Sequence, residues 1–292
     1  MIRPMPRAKS NGIELEYETF GNPDDPALLL VMGLGAQMIA WDEGFCQQLV
    51  DAGFYVIRYD NRDVGLSTRT EGPAPDLAAI MSGDTSTATY RIDDMADDAA
   101  GLLDDLGIDR AHIVGASMGG MIAQAIAIRH PEKTASLCSI MSTTGDRSVG
   151  QPQPEAMAAL MAPAPTNRDE ALDRAVTSGR ILSPVHFDEA KARQRAGEAY
   201  DRAFYPLGMQ RQLAAIMASP DRTPELAKVS APTLVIHGTA DPLVTYSGGE
   251  ATAKAVPGAD LLAFDDMGHD LPEPRWPEIV AAIATNARRA SS

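Results

Sequence analysis

The chain has 292 residues, 25 of them Lys or Arg and 40 Asp or Glu, for a formal net charge of −15. That length exceeds one minimal domain and falls short of two independent ones, so one large core carrying an insertion is expected. The charge opposes binding to phosphate backbones and anionic lipid surfaces, which argues against nucleic acid as a partner.

Met1 to Lys9 carry charge with no apolar stretch behind them, and the sequence contains no run of about 20 apolar residues, so neither a secretion signal nor a membrane span is expected. Cys46 reads as part of a helix and Cys138 as part of a buried strand, and neither has metal-ligand spacing or a disulfide framework around it. A cytoplasmic monomer or homodimer with free thiols, no membrane association and no bound metal or cofactor is the resulting expectation.

In chain order, Gly12 to Gly21 alternates apolar and polar side chains, as a half-exposed strand at a sheet edge does. Ala27 to Met32, Tyr55 to Tyr59, His112 to Val114, Ala135 to Met141, Thr233 to Ile236 and Leu261 to Phe264 are short, mostly apolar and β-branched runs. Strands buried on both faces of a parallel sheet have this pattern. Between them, Ile92, Met95, Ala99, Leu102, Leu103 and Leu106 fall at helical spacing and make one apolar stripe. The other face of that helix carries Asp93, Asp94, Asp97, Asp98, Asp104 and Asp105, read as a solvated face rather than a metal site.

Strands alternating with helices indicate an α/β fold with a mostly parallel central sheet flanked by helices, its site at the carboxyl edge. The alternation breaks once. From about Asp146 to about Leu226 no strand-like run occurs, and Ala156 to Met161, Asp169 to Thr177, Asp188 to Tyr200 and Met209 to Met217 read as helices. The expected organisation is therefore a core of residues 1–145 and 227–292, with a helical cap of residues 146–226 inserted after the sixth strand.

Gly115-Ala116-Ser117-Met118-Gly119 stands between a short apolar run and the helix-forming stretch from Met121 to Ala127. A serine at such a strand-to-helix turn presents its Oγ above the sheet, and the glycines permit the close backbone approach that the turn requires. Ser117 is thus the candidate nucleophile, and it needs a general base and an acid to orient that base. Of the five histidines, His112 begins a buried strand, His130 ends a helix, His186 lies in the cap and His237 ends a strand. His269 follows the last strand-like run, where a loop at the carboxyl edge carries it over Ser117. Asp241, in the turn after the preceding strand, is the best-placed acid, with Asp265 and Asp266 as competitors. Acyl transfer also needs two amide donors for the oxyanion. The Met118 N–H supplies one, and Leu34 in Met32-Gly33-Leu34-Gly35 is best placed to supply the other.

With Ser117, Asp241 and His269 in that order, the sequence resembles the α/β-hydrolase superfamily from the strand near Glu14 to the helix near Ile279. Arg58 to Ser67 and Leu30-Val31-Met32-Gly33 are similar to the group that includes the aclacinomycin methylesterases. Met32 stands where many relatives carry a His that supports the oxyanion loop, and Asp60 and Arg62 are expected to fix their own loop. The resemblance implies a serine esterase that forms an acyl-enzyme. Met38 and Trp41 after the first loop, with Met157, Met161, Phe204 and Met209 in the cap, would line a pocket for a small to medium apolar or aromatic ester. A lactonase, a C–C bond hydrolase and a perhydrolase are rival activities, and a non-catalytic ligand-binding protein is a rival of another class.

Overall fold

Asn11 and Gly12 both take left-handed φ angles, 48° and 78°. Such a two-residue turn matches the twist of paired strands, and it joins β1 (Arg7–Ser10) to β2 (Ile13–Phe20) as an antiparallel hairpin. The computed structural model describes residues 6–290, so Met1 to Met5 of the N-terminal segment lie outside the described residues. Six further strands follow: β3 (Ala27–Val31), β4 (Tyr55–Tyr59), β5 (Ala111–Ala116), β6 (Thr134–Ile140), β7 (Thr233–Gly238) and β8 (Asp260–Phe264). They form one sheet in the order β1-β2-β4-β3-β5-β6-β7-β8, parallel from β4 onward.

The helices of the first half are α1 (Glu43–Asp51), α2 (Leu77–Met81), α3 (Ile92–Asp105) and α4 (Met118–Arg129). The chain then leaves the sheet after β6 through α5 (Pro154–Leu160), α6 (Arg168–Leu182), α7 (Glu189–Arg202), α8 (Pro206–Ala218) and α9 (Thr223–Leu226). It returns at β7, and α10 (Ser247–Ala255) and α11 (Trp276–Arg288) complete the fold. Alternation along β3 shows why the central strands are apolar throughout. Leu29 and Val31 pack with Met95, Leu102 and Ile122 of α3 and α4, whereas Leu28 and Leu30 pack with Phe45, Leu49 and Ile279 of α1 and α11.

Three expectations need correction. β2 is second from the edge, because the hairpin puts β1 outside it. β8 is an edge strand with Leu261 exposed, so it is covered on fewer sides than a central strand. On α3 the stripe is buried as expected, but Asp98 is only 1% exposed and does not belong to a solvated face. Its turn of the helix packs on β1, where Ser10 Oγ donates to the Asp98 carbonyl, and Arg62 reaches its carboxylate at 2.6 Å to supply the counter-charge. Asp97 and Asp104 do face outward, bonded to Arg129 and Lys133. Cys46 and Cys138 are buried free thiols, and burial pushes the Cys46 thiol up to about 12.

Candidate active site

β5 ends where Ser117 adopts φ 58° and ψ −121°, an uncommon conformation for a residue with a side chain. The surrounding glycines make it possible. A Cβ on Gly115 would lie 2.0 Å from the Gly119 carbonyl oxygen, and one on Gly119 would lie 2.0 Å from that of Val31. Only hydrogen fits at either position. The Ser117 N–H donates to the Ile140 carbonyl at 2.9 Å, and the Gly120 N–H donates to the Ser117 carbonyl at 2.9 Å, so the strained turn is held from both sides.

The turn after β7 carries Asp241, buried, with Oδ1 accepting the N–H groups of Leu243 and Val244 at 2.8 and 3.0 Å. Its Oδ2 accepts Nδ1–H of His269 at 2.8 Å. This bond fixes the imidazole tautomer, leaving Nε2 bare to accept the Ser117 hydroxyl at 2.9 Å. His269 itself is pinned by the insertion: its N–H donates to the Leu182 carbonyl at 2.7 Å, and Ser183 bonds the adjacent Asp270. Beneath Asp241, buried His237 donates to the Val244 carbonyl at 2.7 Å, and burial lowers its proton affinity. The competing acids are engaged elsewhere, Asp265 with Thr239 and Asp266 with Arg275 and His186.

The loop after β3 passes close to the serine, since a Cβ on Gly33 would meet Ser117 Oγ at 3.6 Å. Among the described residues neither the Leu34 nor the Met118 N–H has a hydrogen-bond acceptor, and Met118 opens α4, where the first amides have no partner within the helix. Asn61 braces the loop after β3, donating to the Met32 carbonyl at 2.9 Å. Gln212, from α8, accepts the Gly35 N–H at 2.8 Å and donates to the Arg62 carbonyl at 2.8 Å. Asp60 fixes its loop as expected, taking the Met38 and Leu66 N–H groups and pairing with Arg202.

Ser117 and His269 open on a cavity of about 310 Å³ lined chiefly by apolar side chains, among them Leu34, Met141, Leu160, Leu182, Met209 and Leu243. A family model for the alpha/beta hydrolase fold matches residues 26–274. The chain belongs to the α/β-hydrolase family. This hydrolase is 30% identical to rhodomycin D methylesterase DnrP of Streptomyces peucetius, over 96% of each chain. It is also 30% identical to 3-oxoadipate enol-lactonase 2 of Acinetobacter baylyi, over 82% of this chain and 80% of that one. Among solved structures, an esterase from Thermogutta terrifontis superposes with a TM-score of 0.68 at 26% identity, covering 98% of this chain and 100% of that one. The methylesterase relative bears out the resemblance carried by Arg58 to Ser67.

Within this α/β-hydrolase the expected pocket residues separate. Met209 lines the cavity beside Ser117. Met38 and Trp41 do not: both are sealed in the core, Met38 at 0% exposure and Trp41 stacked on Phe45 with Arg58 bonded to its carbonyl. Trp41 joins the core cluster with Phe45 and Trp276, and the Met38 N–H is held by Asp60, so neither side chain lines the Ser117 cavity. Met161 and Phe204 line two neighbouring cavities, and Met157 is 39% exposed on α5. Leu160, another apolar residue of the cap run Ala156 to Met161, lines the Ser117 cavity with Met209, whereas Ala156, Ala159, Arg174, Ser178 and Leu182, which line it too, carry no sequence signal that separates them from an ordinary helix face. Among the described residues no group of three or more His, Cys, Asp or Glu is arranged to hold a metal ion, and no helix is long and apolar enough to cross a membrane.

Proposed function

We propose that this hydrolase is a serine carboxylesterase acting through an acyl-enzyme on a small to medium, largely apolar ester. The observation that carries the reading is the continuous hydrogen-bonded line Ser117, His269, Asp241 opening on an apolar cavity beside two amides with no acceptor among the described residues. Ser117 Oγ attacks the ester carbonyl while His269 Nε2 takes its proton, and Asp241 holds Nδ1–H and stabilises the imidazolium. The Leu34 and Met118 N–H groups bind the oxyanion. His269 then returns the proton to the departing alcohol, activates water against the acyl-enzyme and restores the Ser117 hydroxyl as the acid leaves. The insertion, residues 146–226, serves as a cap that walls the cavity with residues of α5, α6 and α8. No step calls for a cofactor.

Similarity to an enol-lactonase gives a second reading, in which the alcohol leaves but stays tethered to the acyl group. A panel of nitrophenyl esters, methyl esters and lactones separates the two. Labelling by a fluorophosphonate, lost in Ser117→Ala, tests the nucleophile; persistent labelling in that variant, or no turnover of any ester or lactone, would overturn the proposal.

A further inference from the structure

Arg174, on α6, lines the Ser117 cavity and also the two cavities that adjoin it, of about 530 and 230 Å³. It therefore stands at the junction of the three spaces. Its Nη1 donates to the Ala162 and Pro163 carbonyls at 3.1 and 2.6 Å, while Nη2 has only the Ala159 and Leu160 carbonyls at 3.5 Å. Nε has no acceptor among the described residues. The short bonds thus anchor one end of the guanidinium to the segment just after α5 and leave the Nε and Nη2 edge, the fork that grips a carboxylate, with weak partners or none.

The contrast with its neighbours is sharp. Every other Lys and Arg of α6, α7 and α8 lies within ion-pair distance of a carboxylate. Buried Arg222 also lacks a carboxylate, but its Nε donates to Gln124 and its Nη2 to the Thr143 carbonyl at 3.0 Å, partners that the same edge of Arg174 does not have. Burial also lowers the proton affinity of Arg174, and no nearby acid offsets that cost. Backbone carbonyls supply only partial charge, so an anionic oxygen arriving in the cavity would meet a partly desolvated, oriented cation.

We propose that Arg174 is a specificity-determining residue that binds an anionic oxygen of the substrate, remote from the scissile ester. The substrate class is then an ester that also bears a carboxylate or an ionised enol or phenol, within an otherwise apolar skeleton. The location of this oxygen rests on the ester-hydrolase reading of the same cavity. Arg174 makes no contact with the reacting atoms and acts through binding.

The test uses Ser117→Ala protein, which holds esters without turning them over. Calorimetric titration compares monomethyl glutarate with neutral dimethyl glutarate, and methyl 4-hydroxy-3-nitrobenzoate, ionised at neutral pH, with its 4-methoxy analogue. At least one anionic member should bind about tenfold or more tightly than its neutral partner, the scale of one hydrogen bond to a charged group. Which pair discriminates identifies the carboxylate or the phenolate. The difference should vanish in Ser117→Ala/Arg174→Gln and survive in part in Ser117→Ala/Arg174→Lys. Equal or weaker binding of both anions, or an equal loss for both members of a pair in the Gln variant, would overturn the proposal. The ratio of kcat/KM for the same pairs in the unaltered enzyme repeats the test without any change at Arg174. Discrimination without turnover would sink the esterase reading alone, whereas turnover without discrimination would sink the role of Arg174 alone.

Discussion

Replacing Asp241 by Asn changes one atom and tests the orientation of the base. Oδ1 of Asp241 accepts two backbone N–H groups, from Leu243 and Val244, and Oδ2 accepts Nδ1–H of His269. In Asp241→Asn the side-chain oxygen must stay with the two amides, because turning the NH2 toward them would set donors against donors. The NH2 therefore faces His269. A donor there requires a bare Nδ1, so the imidazole proton moves to Nε2, the nitrogen 2.9 Å from Ser117 Oγ, and can no longer receive the hydroxyl proton. An inverted tautomer of this kind lowers kcat by about 10⁴ in Ser-His-Asp enzymes. At about 1.36 kcal/mol per tenfold this is roughly 5.5 kcal/mol of lost transition-state stabilisation. The fold should survive, since both amide bonds are kept. Steady-state release of nitrophenol, with thermal unfolding measured on the same sample, gives both quantities. A folded Asp241→Asn protein within tenfold of the parent kcat would refute the reasoning and send the search for the orienting acid to Asp265 or Asp270.

Met38→Ala should lower stability by about 2–5 kcal/mol through the cavity left in a closed core, read from denaturant midpoints; unchanged stability with a raised KM would return Met38 to the pocket. Gly119→Ala should yield little folded or active protein, because its Cβ would sit 2.0 Å from the Val31 carbonyl oxygen; a normal expression level with parent activity would contradict the elbow packing. Acid should destabilise the protein through buried His112 and His237, whose proton affinities fall below the ordinary 6.5 because burial disfavours the cation. As pH drops through 6.5 the unfolded chain binds protons that the folded chain refuses, so stability declines from there toward the lowered folded values and nothing is gained above that window. Denaturant midpoints between about pH 7.5 and 5 should show this slope. His112→Gln should flatten it, and an equally steep slope in that variant would assign the effect elsewhere.

What the sequence made legible divides along physical lines. The parallel strands are readable because burial on both faces leaves nearly continuous apolar runs, as in Leu28 to Val31. The elbow is readable because Gly115 and Gly119 are required by contacts that any Cβ would violate. Hidden features depend on distant partners. β1 carries the ordinary surface sequence Arg7-Ala8-Lys9-Ser10 and becomes a strand only by pairing with β2. Asp98 looks like its acidic neighbours until Arg62 and β1 close over it. Asn61 and Gln212 are polar residues of common type whose value lies in the carbonyl or amide they meet, 29 and 177 residues away in sequence. The pocket was least legible, because an apolar residue after a strand end seals into the core or lines the cavity with the same composition, and Met38 is sealed in the core.

Those distant contacts also bear on how a substrate enters. The insertion holds the His269 N–H through Leu182, clasps Asp270 through Ser183, and holds the Gly35 N–H through Gln212. A Cβ on Gly268 would meet the Leu182 carbonyl oxygen at 2.2 Å, so the insertion lies directly on the loop that carries the proposed base. Swinging α6 to α8 away as one rigid body would release His269 and loosen the oxyanion loop together. Entry by that route would dismantle the chemistry at each turnover. The space between α2, α5 and α8 offers another path, since that cavity of about 530 Å³ shares Leu160, Arg174 and Met209 with the Ser117 cavity. Met209 is unbranched and turns about several bonds, so a change of its rotamer can open the passage while Leu182, Ser183 and Gln212 keep their grip. On the proposed esterase reading, entry at the α5 and α8 side would leave intact the contacts by which the end of α6 holds His269.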